Sequence, residues 1–333
     1  MALFQAKSGV FSQNYLATRG VLLHNAGAMT HATDVTGELL KAVSRSFYLT
    51  IRFLPEEMRP GVALGYMLAR ATDSVADNSS SSLDERAEVL RRMAIVINGA
   101  ATDEEKQDLL EILRVKMADS LHHKAESTLL CEFGACLRAL ETFDEAQKSH
   151  IRKVLDTIIR GQLWDLTAFA ERDTVQDDEE TRRYTYSVAG CVGEFWTDLG
   201  YTTMGARFCD ESRREVMTLA GVRYGQGLQL INILRDMEED AARGRRYLCS
   251  APHKWLNRAE SYMNDGIDYS RRLGTFKLRF ASMLPAIIGK KTIQLLRSVP
   301  LGQGKVKIKR SAVYGGMIQA LWMSLFKRST ADA

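Results

Sequence analysis

The sequence predicts an all-α protein, and three observations carry that expectation. Only 5 prolines interrupt 333 residues, and proline, which breaks helix interiors, is scarce where helices dominate. From Glu38 onward apolar residues recur at the three- and four-residue spacing of a single helix face. No stretch alternates strictly between apolar and polar residues, and no hairpin signal sits between two such stretches.

Residues 1–35 carry scattered Gly, Asn and Thr with weak periodicity and read as a partly ordered lead-in. Residues 36–333 read as one helical domain, with no internal repeat and no interdomain linker. The first helical face is Leu39, Leu40, Val43 and Phe47, closed by the turn LPEEMRP. Residues 61–77 (GVALGYMLARATDSVAD) form a mostly apolar helix with polar groups near its end. After the loop NSSSS, Ser82 and Glu85 have the spacing of a capping box, in which hydroxyl and carboxylate satisfy free N–H groups reciprocally. Helical patterns follow at 84–98, 103–121, 125–141, 145–170, 180–200, 210–240, 253–273, 276–298 and 311–327. Ala189, Gly190 and Gly193 are small enough to let helices approach closely.

Composition excludes several classes. Hydrophobic content of 45% with 26% charged residues fits a globular chain with a substantial core. A net charge of +4, from 45 basic against 41 acidic residues, suits an anionic substrate without demanding one. The 5 cysteines form no C-x-x-C pair and read as reduced thiols rather than disulfides or a zinc site. The N-terminus lacks the apolar core and cleavage site of a secretory signal. No run of about 20 apolar residues predicts a spanning helix. A cytoplasmic protein is expected, monomeric and without nucleic-acid partners. The last helical pattern, AVYGGMIQALWMSLFKR, is expected to pack or to touch a membrane peripherally.

The chemistry lies in two Asp-x-x-x-Asp pairs, Asp73/Asp77 and Asp236/Asp240. Residues four apart share a helix face, so each pair repels itself unless a cation sits between the carboxylates. Both pairs end apolar helical runs, where uncompensated charge is costly. Hard oxygen ligands of this kind suit Mg²⁺, which bridges a few carboxylates to substrate phosphates. An arginine precedes each pair, Arg70 and Arg235, and a guanidinium fork can bind diphosphate. One such pair is commonly a solvated acidic face; two at the ends of apolar helices are a stronger signal.

Four blocks, SRSFYLTIRFLPEEMRP, YMLARATDSVAD, YTYSVAGCVGEF and LQLINILRDMEEDAARGRRYL, resemble the squalene/phytoene synthase family in order and content, from about Glu38 to Tyr314. The resemblance implies an isoprenoid synthase fold, a helical bundle around a central cavity. It also implies head-to-head condensation of two prenyl diphosphates, farnesyl diphosphate foremost. By position Asp73, Asp77, Asp236 and Asp240 match metal-binding carboxylates. Ser44, Arg45, Ser46, Arg70 and Arg235 match residues that grip diphosphate. Phe47 and Tyr66 match pocket residues, and Gln162 and Asp165 (GQLWDL) another pocket motif. Tyr184 matches an acid/base or cation-stabilising tyrosine. Asn232 and Gln229, one and two turns before Asp236, complete the second motif. Without the resemblance, Phe47 and Tyr66 read as core, and Ser44 and Ser46 as helix caps.

Within the family, ARATDSVAD is similar to the squalene synthase block, and GKVKIKRSAVY is similar to a basic stretch implicated in NADPH binding. Lys307 and Lys309, with Asn232 and Arg235, are the implied cofactor contacts. No third glycine completes Gly225 and Gly227 as a dinucleotide fingerprint, since Leu230 stands there. Two departures are Ala76 in place of a common glutamate and Cys249 in place of a common proline. Phytoene, dehydrosqualene and presqualene diphosphate synthases stay open as alternatives, as does a non-catalytic helical lipid-binding protein.

Overall fold

A computed structural model describes residues 29–44, 47–299, 306, 308 and 310–325. Arg45, Ser46, Lys307 and Lys309 therefore lie outside the described residues, as does most of the 1–35 lead-in.

The helical reading holds throughout, with no strand among the described residues. The chain runs through α1 (Met29–Ser44), α2 (Phe47–Phe53), α3 (Arg59–Ala76), α4 (Leu83–Ile97) and α5 (Asp103–Ile112). It continues through α6 (Lys124–Cys131), α7 (Phe133–Leu140), α8 (Glu145–Glu171), α9 (Asp178–Thr185) and α10 (Cys191–Met204). It ends with α11 (Arg214–Ala242), α12 (Pro252–Arg272), α13 (Phe276–Arg297) and α14 (Arg310–Ser324).

The helix starts follow local chemistry. Ser82 caps α4 as expected: its hydroxyl accepts from Glu85 N at 3.2 Å while Glu85 accepts from Ser82 N at 3.2 Å. Thr102 and Glu105 build the same box on α5, and Pro252 opens α12, where a missing N–H costs nothing. Three expected helices are divided. The 103–121 segment leaves α5 at Ile112 for a π-helical turn at Leu113–Met117. The 125–141 segment breaks at Glu132, whose ψ of 10° leaves the helical region. The 180–200 segment widens into a π-helical turn at Tyr186–Gly190; such turns recur at functional sites.

One face of α3 is buried almost end to end, and α3 packs on α4, α7 and α8. Side chains such as Met67 and Leu68, fully buried there, each contribute about 1.5–3 kcal/mol. On the other side α11 is held between α10, α12 and α13, around a second cluster that includes Leu230, Ile231, Trp255 and Met263. α14 packs on α13 through Met317, Ala320 and Met323 and turns Tyr314, Ile318, Leu321, Trp322 and Leu325 outward. No helix among the described residues is long and apolar enough to cross a membrane. All five cysteines are free; Cys136, Cys191 and Cys209 are buried, and Cys131 and Cys249 exposed.

The small residues of YTYSVAGCVG let α10 and the preceding turn press against α11. A Cβ on Gly193 would stand 1.9 Å from the Gly221 carbonyl oxygen, and one on Gly225 would stand 2.2 Å from that of Ala189. Backbone cannot yield as a side chain does. Gly193→Ala should therefore lower stability to chemical denaturation by about 3 kcal/mol. Gly37→Ala, in α1 with open space around it, should raise it by roughly 0.5–1 kcal/mol. Equal effects would contradict this packing.

Candidate active site

One face of α11 runs past two cavities. Gly221, Tyr224, Gly225 and Leu228 line an apolar cavity. Gln229, Asn232, Ile233, Asp236 and Asp240, the continuation of that stripe at three- and four-residue spacing, line a polar cavity. The facing side does the same: Tyr184 of α9 and Val188 of the turn before α10 border the polar cavity, and Ala189 of that turn with Val192, Gly193 and Trp196 of α10 the apolar one. The cavities thus adjoin at Val188–Ala189 and Leu228–Gln229. Phe47 and Thr50 of α2, Tyr269 of α12 and Pro285 of α13 complete the apolar lining.

Both aspartate pairs line the polar cavity. Asp73 is buried, Asp77 at the end of α3 is exposed, and Asp236 and Asp240 are half-buried. Each pair's first aspartate is met by the arginine before it. Arg70 Nη1 donates to Asp73 Oδ2 at 2.7 Å and also pairs with Glu126 of α6. Arg235 grips both oxygens of Asp236, at 2.9 and 2.5 Å. Burial first, and then the Asp77 charge, push the Asp73 carboxyl up to about 7, with Arg70 opposing. Burial works against the Arg70 charge, but Asp73 and Glu126 outweigh it and hold the guanidinium above its usual value.

Gln162 and Asp165 of α8 form another wall. Arg245 Nη1 donates to Asp165 Oδ2 and the Tyr247 hydroxyl to Oδ1, both at 2.6 Å. Tyr247 stacks on Tyr184 with centroids 4.7 Å apart and planes 14° from parallel. Burial raises Asp165, against Arg245 and the Tyr247 hydroxyl, and holds Tyr184 well above the ordinary tyrosine value.

Asp73, Asp77, Gln162, Asp165, Tyr184, Gln229, Asn232, Asp236 and Asp240 thus converge on one cavity, and Phe47 on its apolar neighbour. Tyr66 stacks behind Phe47 at 5.6 Å and donates its hydroxyl to the Val43 carbonyl. Ser44, closing α1, donates to the Leu40 carbonyl. Sequence reasoning did not single out Arg243, Arg245, Tyr247 or Glu126. The first three lie in the quoted AARGRRYL, and their arginine density was the available signal. Glu126 carried none.

Among the described residues, no three His, Cys, Asp or Glu side chains converge tightly enough to hold an ion alone. The donor set still fits Mg²⁺, which needs few protein ligands when phosphates and waters complete its shell. The cavity presents five carboxylates, four of them in the two pairs, and Gln229 Oε1 is buried there without a hydrogen-bond donor.

An all-α bundle with paired aspartates at the polar end of an apolar cavity defines the isoprenoid synthase type of architecture. Residues 40–260 match the squalene/phytoene synthase family, and the chain belongs to it. It is 30% identical over 220 residues to the bifunctional lycopene cyclase/phytoene synthase of Pyrenophora tritici-repentis, covering 66% of this chain and 34% of that one. It is 28% identical over 210 residues to a probable squalene synthase of Neurospora crassa, covering 62% and 40%. These relatives are thus matched over well under half their length. Among solved structures, TcSQS with the ligand BPH1237 superposes with a TM-score of 0.67 at 21% identity, covering 91% of this chain and 94% of that one. A dehydrosqualene synthase in complex with ligand gives 0.59 at 17%, covering 87% and 95%. Family members are prenyl transferases that use prenyl diphosphates and generally depend on Mg²⁺.

The position of Asp73 has a measurable consequence. Its folded carboxyl keeps a proton that the unfolded chain, near 3.8, releases, so between about 3.8 and about 7 the folded state binds more protons. Stability of the metal-free protein should therefore fall as pH rises through that window. Asp77, Arg70 and Glu126 are the charged groups facing it. In Asp73→Asn, denaturation in EDTA should show a shallower fall across the window; an unchanged pH profile would refute the assignment.

Proposed function

We propose that this protein is a squalene synthase: it joins two farnesyl diphosphates head to head through presqualene diphosphate and reduces that intermediate with NADPH. The observation that carries the reading is the single face of α11, apolar along one half and acidic along the other, with the first aspartate pair across the acidic end. A prenyl diphosphate has the same polarity along its length.

Mg²⁺, held by Asp73, Asp77, Asp236 and Asp240, would neutralise the charge that grows on diphosphate as the allylic C–O bond breaks. Arg243 and Arg245 bring fixed cations to the same cavity. The apolar cavity offers the allylic cation a lining with little polar surface, which includes the aromatic rings of Phe47, Trp196 and Tyr224. The second substrate's double bond attacks that cation, and the ring closes to the cyclopropyl diphosphate as the former cation carbon loses a proton to the released diphosphate. Tyr184, kept protonated by burial, presents a neutral ring and hydroxyl to the polar cavity rather than a phenolate base.

The reductive half is supported by the squalene synthase-like ARATDSVAD and GKVKIKRSAVY stretches. The phytoene synthase names among the relatives favour a second reading, condensation without reduction. Incubation with farnesyl diphosphate or, separately, geranylgeranyl diphosphate in the presence of Mg²⁺, followed by mass analysis of products, separates them. Squalene formed only with NADPH is expected. Presqualene diphosphate with or without NADPH would mean a one-step enzyme, a C30 or C40 triene without NADPH a carotenoid-type synthase, and inert protein a lipid binder. Asp73→Asn and Asp236→Asn should each reduce turnover by about 10²-fold or more with helicity intact.

A further inference from the structure

Asp165 sits beside Gln162 in the polar cavity, yet both of its oxygens are already engaged, by Arg245 and Tyr247. These two donors come from the segment after α11, which has no helix of its own. Its backbone is tied to the loop after α8: Arg246 N donates to Asp173 O at 2.8 Å and Val175 N to Arg246 O at 3.0 Å, while the Thr181 hydroxyl donates to Tyr247 O at 2.8 Å. These bonds locate the chain but do not aim its side chains. Extended backbone sends alternate residues to opposite sides. Arg246 accordingly turns outward to pair with Asp173, whereas Arg245 and Tyr247 both turn to Asp165.

We propose that Asp165 is a positioning residue rather than a metal ligand. From α8 it holds the Arg245 guanidinium and the Tyr247 ring, and through that ring the stacked ring of Tyr184, as one wall of the diphosphate end. Asp165 has no second carboxylate a turn away on α8 with which to share an ion, and its two oxygens fix two side chains of one segment, whereas paired aspartates lie on α3 and α11 across the cavity. An asparagine in its place has one acceptor for two donors, so one of the two side chains must be released. The assignment rests on the cavity being a diphosphate site.

Binding measurements on the full chain separate the possibilities without relying on the product. Titration with Mn²⁺ alone, and with inorganic pyrophosphate in excess Mg²⁺, should show wild-type binding of both. Asp165→Asn should keep Mn²⁺ affinity within about twofold of wild type yet bind pyrophosphate about tenfold more weakly, the loss expected when a charged hydrogen bond is misplaced. Its turnover should fall by about 10²-fold. Tyr247→Phe, which keeps the stacked ring, should bind both probes normally and lose turnover through kcat with KM unchanged. It carries the test if Asp165→Asn fails to fold. Loss of Mn²⁺ affinity in Asp165→Asn as large as in Asp73→Asn would make Asp165 a ligand and overturn the proposal. Unchanged pyrophosphate affinity and turnover in Asp165→Asn, or unchanged turnover in Tyr247→Phe, would overturn it too. Wild-type protein that bound neither probe would remove the diphosphate reading itself, and this assignment with it.

Discussion

Carboxylate repulsion is the constraint around which this molecule is arranged. Asp73, Asp77, Asp236 and Asp240 face one cavity, and a cluster of that charge in a half-buried space is costly unless neutralised. The chain supplies partial relief: Arg70 for Asp73 and Arg235 for Asp236. For Asp73 burial first, and then the Asp77 charge, outweigh an arginine at 2.7 Å and hold its carboxyl above the ordinary range. A divalent cation between the pairs would offset the carboxylate charge that the two arginines leave unbalanced.

The apolar half follows from how α11 is seated. Gly193 against Gly221 and Ala189 against Gly225 bring two backbones closer than any side chain allows. That approach places the turn before α10 directly opposite α11, so that its Val188 and Ala189 sit where the acidic and greasy walls meet. Glu126, on a helix otherwise remote from the motifs, reaches the same centre through Arg70.

Much of this was legible in the sequence because it is local. Helical periodicity, the Ser82–Glu85 box and the two aspartate pairs each depend on residues within a turn or two, and the structure shows them where expected. The roles of Arg245 and Tyr247 are not local. They depend on a bridge between residues 174 and 246 and on Asp165, about eighty positions earlier, a pairing no spacing rule reaches. The π-helical turn at Tyr186–Gly190 was likewise hidden, because one widened turn barely disturbs an apolar stripe. Arginine beside each pair was visible, but that Arg70 and Arg235 bind the aspartates themselves required the fold.

The most direct test is a crystal structure of the protein with Mg²⁺ and inorganic pyrophosphate. Ions bonded at about 2.0–2.1 Å to at least one aspartate from each pair, and bridged by pyrophosphate, are the predicted result. Pyrophosphate and metal bound outside this cavity, or held by one pair while the other stays with its arginine, would contradict the account.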